Sequence, residues 1–165
     1  MKKSLFIFIL ICTALLLGAC KKDSSNSKDS PENKYTFRKD GTLQFHSPTG
    51  ELKAEFDIEI AQKEAELLRG LKFRDKMLTN QGMLFIFEYV DYNSFWMQDT
   101  YLSLDMVFID QDYKVIHIAR DTPPFSEELI SPPSPNKYVL ELLAGSADKY
   151  NLKEKDIVSW QTIKD

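Results

Sequence analysis

From Tyr35 onward the apolar residues recur mostly at every second position, and a chain written in that period builds a sheet, not a helical bundle. Leu52, Ala54, Phe56, Ile58 and Ile60 alternate with Lys53, Glu55, Asp57 and Glu59, the pattern of a strand with one buried and one wet face. Met83 to Phe87 is an unbroken apolar run between Gly82 and Glu88, which describes a strand covered on both faces. Phe95-Trp96-Met97 reads as a further short strand. Leu104 to Ile109 and Tyr113 to Ala119 flank Asp110-Gln111-Asp112 as a hairpin. Tyr138 to Leu143 and Asp156 to Ile163 supply two more strands. Helical spacing is confined to two places. Between Gln62 and Arg69 it is marked by Ala65, Leu68 and Leu71 and stopped by Gly70; after Ala144-Gly145, Ser146 can cap one or two turns. The expectation is an α+β fold, predominantly β: a compact curled sheet or barrel of seven to eight short strands with two short helices, in one domain over residues 35–165.

One stretch breaks this rhythm. Asp121 to Lys137 holds five of the seven prolines, at 123, 124, 132, 133 and 135. A loop of that length in a compact domain tends to be a lid, a binding segment or disordered. Phe125, Leu129 and Ile130 give it apolar anchors, so it is expected to be ordered.

The N-terminus carries an address. Met1-Lys2-Lys3-Ser4 precedes Leu5 to Leu17, an apolar core in which only Thr13 is plainly polar, as in a secretory signal. The core is shorter than the roughly 20 residues that a bilayer-spanning helix needs. It ends in Leu17-Gly18-Ala19-Cys20, which resembles a bacterial lipobox; residues 1–19 are then a lipoprotein signal peptide and Cys20 the lipidated residue. Two or three acyl chains, at about 0.8 kcal/mol per buried CH₂, hold a protein on a membrane durably. The following residues to Lys34 are Lys, Asp, Ser, Asn, Pro and Glu only, which cannot offset the cost of ordering, so 20–34 is expected to be the lipidated cysteine and a disordered tether. Lys21 after the cysteine favours outer-membrane sorting in a cell with two membranes.

Charge and cysteine usage narrow the chemistry. The 165 residues hold 21 Lys+Arg and 25 Asp+Glu; without Lys2 and Lys3 the balance is 19 against 25, a net charge of −6. Such a surface repels phosphate backbones, which argues against a nucleic-acid partner. Cys12 and Cys20 both precede the tether, so residues 35–165 have no thiol for a disulfide, a nucleophile or a metal. His46 and His117 are too few for a histidine cage. The sequence has no Gly-x-Ser-x-Gly, His-Glu-x-x-His, P-loop or Gly-x-Gly-x-x-Gly string. Asp110-x-Asp112 is better read as a turn than as part of a calcium loop. His117, between Ile116 and Ile118, reads as a structural histidine.

What remains is polar residues embedded in apolar strings: Arg69, Arg74, Asp99, Thr100 and Asp105. Asp105, between Leu104 and Met106, needs an arginine or several N–H donors to offset its desolvation. Two readings are open. In the favoured one, Arg69 or Arg74 forms a buried ion pair with Asp105 and pins the short helix to the sheet. In the other, these groups line a small pocket with Trp96, Met97 and Tyr101 under the proline-rich loop, where tryptophan beside carboxylates suits sugar stacking.

Several strings in order resemble one family: Arg69-Gly70-Leu71-Lys72-Phe73-Arg74, Gly82-Met83-Leu84-Phe85, Phe95-Trp96-Met97-Gln98-Asp99-Thr100, Leu104-Asp105, Tyr138-Val139-Leu140-Glu141 and Ala144-Gly145. They are similar to the DUF192 (UPF0127) family, over roughly residues 56–160. The chain departs from it at Gln98-Asp99, where Lys-Asn is usual, and at Ser103, where proline is common. The resemblance implies the domain and supplies no reaction. Together these readings describe a lipid-anchored envelope domain that binds a small ligand or a partner protein, without catalysis and without a cofactor or metal. The alternatives are a hydrolase acting on envelope glycan, with Asp105 and either Asp99 or Glu88 as acid and base, and a structural envelope lipoprotein.

Overall fold

A computed structural model describes residues 36–163, all within one compact unit, Pro31–Asp165. The signal segment, Cys20 and the tether lie outside the described residues. Seven strands form one mixed sheet: β1 (Gly41–His46), β2 (Leu52–Ala61), β3 (Gln81–Asp91), β4 (Leu104–Ile109), β5 (Val115–Thr122), β6 (Asn136–Leu143) and β7 (Ile157–Thr162). Two short helices, α1 (Glu64–Arg69) and α2 (Ser146–Lys149), complete it. The fold is mostly sheet, as the period-two pattern required.

The strand order is β5-β4-β6-β3-β2-β1-β7. All neighbours pair antiparallel except β2 and β3, which run parallel and are joined through α1. The two end strands also meet, through a bridge between Lys114 and Ile157 and N–H donation from Val115 to the Asp156 carbonyl at 2.9 Å. The sheet is therefore curled until its edges touch, which covers backbone groups that an open edge would expose.

Local chemistry explains the elements. In the β4–β5 turn, the Asp110 carboxylate accepts the N–H groups of Asp112 and Lys114 at 2.9 Å each, a hairpin device that leaves the calcium reading without support. At the start of α1, Glu66 Oε2 accepts N–H from Gln62 and Lys63 at 3.2 Å. Gly82 is obligatory, because a Cβ there would meet Leu142 Cδ2 at 2.8 Å and the Glu141 carbonyl oxygen at 2.9 Å.

The sheet buries apolar residues on both faces. One face carries Leu43, Phe45, Phe56, Ile58, Leu84, Val107, Leu140 and Leu142, with Ala147 packed against them. The other carries Met83, Phe85, Met106, Phe108 and Val139, covered by Leu71 and Met97. A fully buried phenylalanine or leucine contributes about 1.5–3 kcal/mol. Two expectations are corrected here. β2 has a wet face only in its first half: Glu59 is buried, because β3 and the chain after α1 cover the second half. Phe95-Trp96-Met97 is not a strand, since Phe95 makes a single bridge, to Ile130, and the chain then turns at Asp99. The proline-rich segment is held by that bridge, by N–H donation from Met97 to the Ser126 carbonyl at 2.9 Å and from Phe125 to the Thr100 carbonyl at 3.2 Å. Those contacts account for its order.

Candidate functional site

β6 is the central strand, flanked by β3 and β4, and its sequence Tyr138-Val139-Leu140-Glu141-Leu142-Leu143 alternates between the two faces. Tyr138, Leu140 and Leu142 go to the first face and Val139 to the second, so Glu141 shares the face of Val139. α1 ends above it. Gly70 turns the chain with a φ of 50° and approaches so closely that a Cβ would meet the Phe85 ring at 3.1 Å and Glu141 Oε2 at 3.9 Å.

Between α1, Trp96 and β6 lies a cleft of about 290 Å³, lined by residues 67–72, Phe87, residues 94–96, Thr100 and Glu141. That is the small end of the ~300–1,000 Å³ range of ligand pockets. Glu141 is buried, and desolvation pushes its pKa up to about 8, against the opposing pull of the Arg74 guanidinium. Its carboxyl is therefore mostly neutral at pH 7, able to donate as well as accept. Among the described residues, Glu141 Oε2 has no hydrogen-bond partner. An orphaned buried polar atom costs about 1–3 kcal/mol, and functional sites are where proteins carry such a cost.

The neighbouring charges are matched. Buried Arg74 forms an ion pair with buried Glu59, whose Oε1 also accepts the Arg38 backbone N–H at 2.7 Å. At the rim, Lys72 Nζ stands 3.4 Å from Gln98 Oε1 and 5.4 Å from the centre of the Trp96 ring. Gln98 thus meets a lysine supplied by the α1–β3 connection, in a chain that lacks the usual lysine at 98. Phe73 donates its N–H to the Asp99 carbonyl at 2.8 Å. Phe73, Asp99 and Phe125 all have left-handed backbone, with φ of 62°, 57° and 60°. Each such non-glycine conformation costs roughly 1–2 kcal/mol.

The residues singled out from sequence divide into groups. Arg69, Trp96 and Thr100 line the cleft. Met97 does not: it is fully buried in the second apolar layer, where the Thr122 hydroxyl lies 3.4 Å from its Sδ. Asp99 is a left-handed turn residue whose carbonyl holds Phe73. Arg74 pairs with Glu59 and not with Asp105. Asp105 alternates with Leu104 and Met106 and so faces the first layer, on the side of the sheet away from the cleft. Its Oδ2 accepts the Ala147 N–H at 2.8 Å and its Oδ1 the Asp121 N–H at 3.0 Å. Backbone donors offset its burial, and it ties α2 and β5 to β4.

Of the carboxyls drawn from sequence as acid and base, Asp105 faces away from the cleft and Glu88 is exposed. Tyr101 is exposed beside Phe125, and the proline-rich loop does not line the cleft. The residue that sequence reasoning passed over is Glu141. The signal was present, a lone carboxylate within an apolar strand, and it is the same signal that singled out Asp105. Among the described residues no three His, Cys, Asp or Glu side chains converge as a metal site.

Comparisons with known proteins agree with the fold. The model of the DUF192 family, described as an uncharacterized ACR, matches residues 45–160. The chain is similar to the crystal structure of a protein of unknown function from Novosphingobium aromaticivorans, with 31% identity, a TM-score of 0.68, and coverage of 72% of this chain and 84% of that one. It is also similar to a putative transcription regulator from Sinorhizobium meliloti, with 29% identity, a TM-score of 0.71, and coverage of 76% and 97%. No curated protein matches the chain. With most of the sheet, both helices and the Glu141 strand inside the matched region, the chain belongs to the DUF192 family.

Proposed function

We propose that this protein is a lipid-anchored envelope domain that binds a small ligand in the cleft over Glu141, without making or breaking bonds. The binding reading is carried by one observation: a buried carboxyl with an orphaned oxygen lines a cleft that also presents an indole, two hydroxyls and two cations. Such convergence of a few polar groups on an apolar pocket is what ligand sites have in common. A hydrolase reading has less support, since Asp105, the carboxylate common to its proposed pairs, is held by two backbone N–H groups on the side of the sheet away from the cleft. A net charge of −4 supports a reading without a nucleic-acid partner.

Binding is tested by thermal melts of the wild type and Glu141→Leu with a panel of monosaccharides, sugar acids, amino acids and aromatic acids. A compound that raises the melting temperature of the wild type and not of the variant supports the reading; a panel that shifts neither overturns it. The anchor rests on Leu17-Gly18-Ala19-Cys20. Cys20→Ser is expected to move the protein from the membrane to the soluble fraction of a bacterial host, and unacylated wild type would overturn that part.

A further inference from the structure

Resting on the cleft reading above, we propose that the ligand is a small ring-bearing carboxylate, bound as the anion, with its ring against Trp96 and its carboxylate between Lys72 and the Glu141 carboxyl. Three observations converge on that chemistry. The first is charge. Apart from Glu141, the charged residues lining the cleft are Arg69 and Lys72, both cationic, in a chain whose net charge is −4. The described partners of Lys72 are the Gln98 amide and the Trp96 ring, both neutral, so its charge stays available to an anion. The second is shape. A cleft of about 290 Å³ admits one six-membered ring and its substituents, and Trp96, Phe87 and Phe95 supply aromatic walls.

The third is the proton on Glu141. An ionised glutamate at the floor would repel a carboxylate, whereas a neutral one donates a hydrogen bond to it. The charged groups packed around Glu141 are Arg74 with its partner Glu59, and at the rim Arg69 and Lys72. The Arg74–Glu59 pair is internally matched, so desolvation dominates and the carboxyl keeps its proton up to a pH of about 8. A ligand with a free ammonium group would meet the cations at the rim. A neutral ring would leave Lys72 without an anion.

Isothermal titration calorimetry with three probes tests this: glucuronate, benzoate and glucose. At pH 7 at least one of the two carboxylates is expected to bind at least tenfold more tightly than glucose. Glucuronate alone would identify a sugar acid, benzoate alone an aromatic acid, and either supports the proposal. Glucose binding as tightly as glucuronate would overturn the anion inference and leave the cleft reading standing. Silence from all three overturns the inference, and the wider panel then decides whether the cleft reading falls with it. Affinity for the carboxylate should weaken about tenfold from pH 7 to pH 9, as one proton is lost from Glu141. Glu141→Gln, which keeps a neutral donor, should bind with no such slope, and Lys72→Gln should lose at least tenfold at pH 7. An unchanged slope in Glu141→Gln, or unchanged affinity in Lys72→Gln, would overturn the proposed contacts.

Discussion

Asp105 on β4 and Glu141 on β6 are diagonal neighbours that leave the sheet from opposite faces: Asp105 pairs with Leu142, and Met106 pairs with Glu141. Both are lone carboxyls in apolar strands, and both are buried. Asp105 accepts two backbone N–H groups, whereas Glu141 Oε2 accepts none. The first arrangement stabilises the fold. The second costs stability and stands at the cleft.

Glu141→Gln should stabilise the domain at neutral pH. The folded carboxyl titrates near pH 8 against an ordinary 4.5, so the unfolded chain ionises first and stability falls as pH rises from 4.5 to 8. At pH 7 that loss is on the order of 3 kcal/mol, and a neutral isostere avoids it. Thermal melts should show the variant roughly 5–10 °C above wild type at pH 7 and level with it at pH 4. A variant melting no higher than wild type at pH 7 would show that Glu141 is not held neutral.

Asp105→Ala should destabilise by about 2–4 kcal/mol, because it strands the N–H groups of Ala147 and Asp121. Since Arg74 pairs with Glu59, the combination of Asp105→Ala with Arg74→Ala should be additive within about 0.5 kcal/mol. Denaturant unfolding measures both. Strong coupling between the two would restore the ion pair expected from sequence.

Arg74→Ala leaves Glu59 buried without its cation and should cost about 3–5 kcal/mol. Adding Glu59→Ala should recover part of that loss, in the same unfolding measurement. Full additivity would mean that the pair does not act as one.

Gly82→Ala should lower the melting temperature by several degrees or prevent folding, because Leu142 and the Glu141 backbone occupy the space of the new methyl. A variant that melts like wild type would show that β3 and β6 can separate at no cost.

Much of the fold was legible in the chain. Alternation placed β2, β4, β5, β6 and β7 within a few residues, since a period of two admits no other regular element. Gly70 marked the end of α1, because only a glycine accommodates both the turn and the Phe85 ring. The buried state of Asp105 was also legible, from its apolar neighbours. Local sequence failed where burial depends on what a distant segment lays over a strand. Glu59 alternates like a wet-face residue, yet it is buried where the chain after α1 folds back and Arg74, fifteen residues on, pairs with it. The same distance problem hid the site. Which face a strand residue takes follows from parity, but whether that face meets backbone N–H groups or an open cleft follows from where α1 and α2 dock. Sequence alone thus determined that Asp105 is a carboxyl within a buried strand, and that Tyr138 to Leu143, the run that carries Glu141, is a strand. The tertiary structure decided that α2 and β5 each offer Asp105 one N–H group, while the chain beyond Gly70 leaves Glu141 facing a cleft.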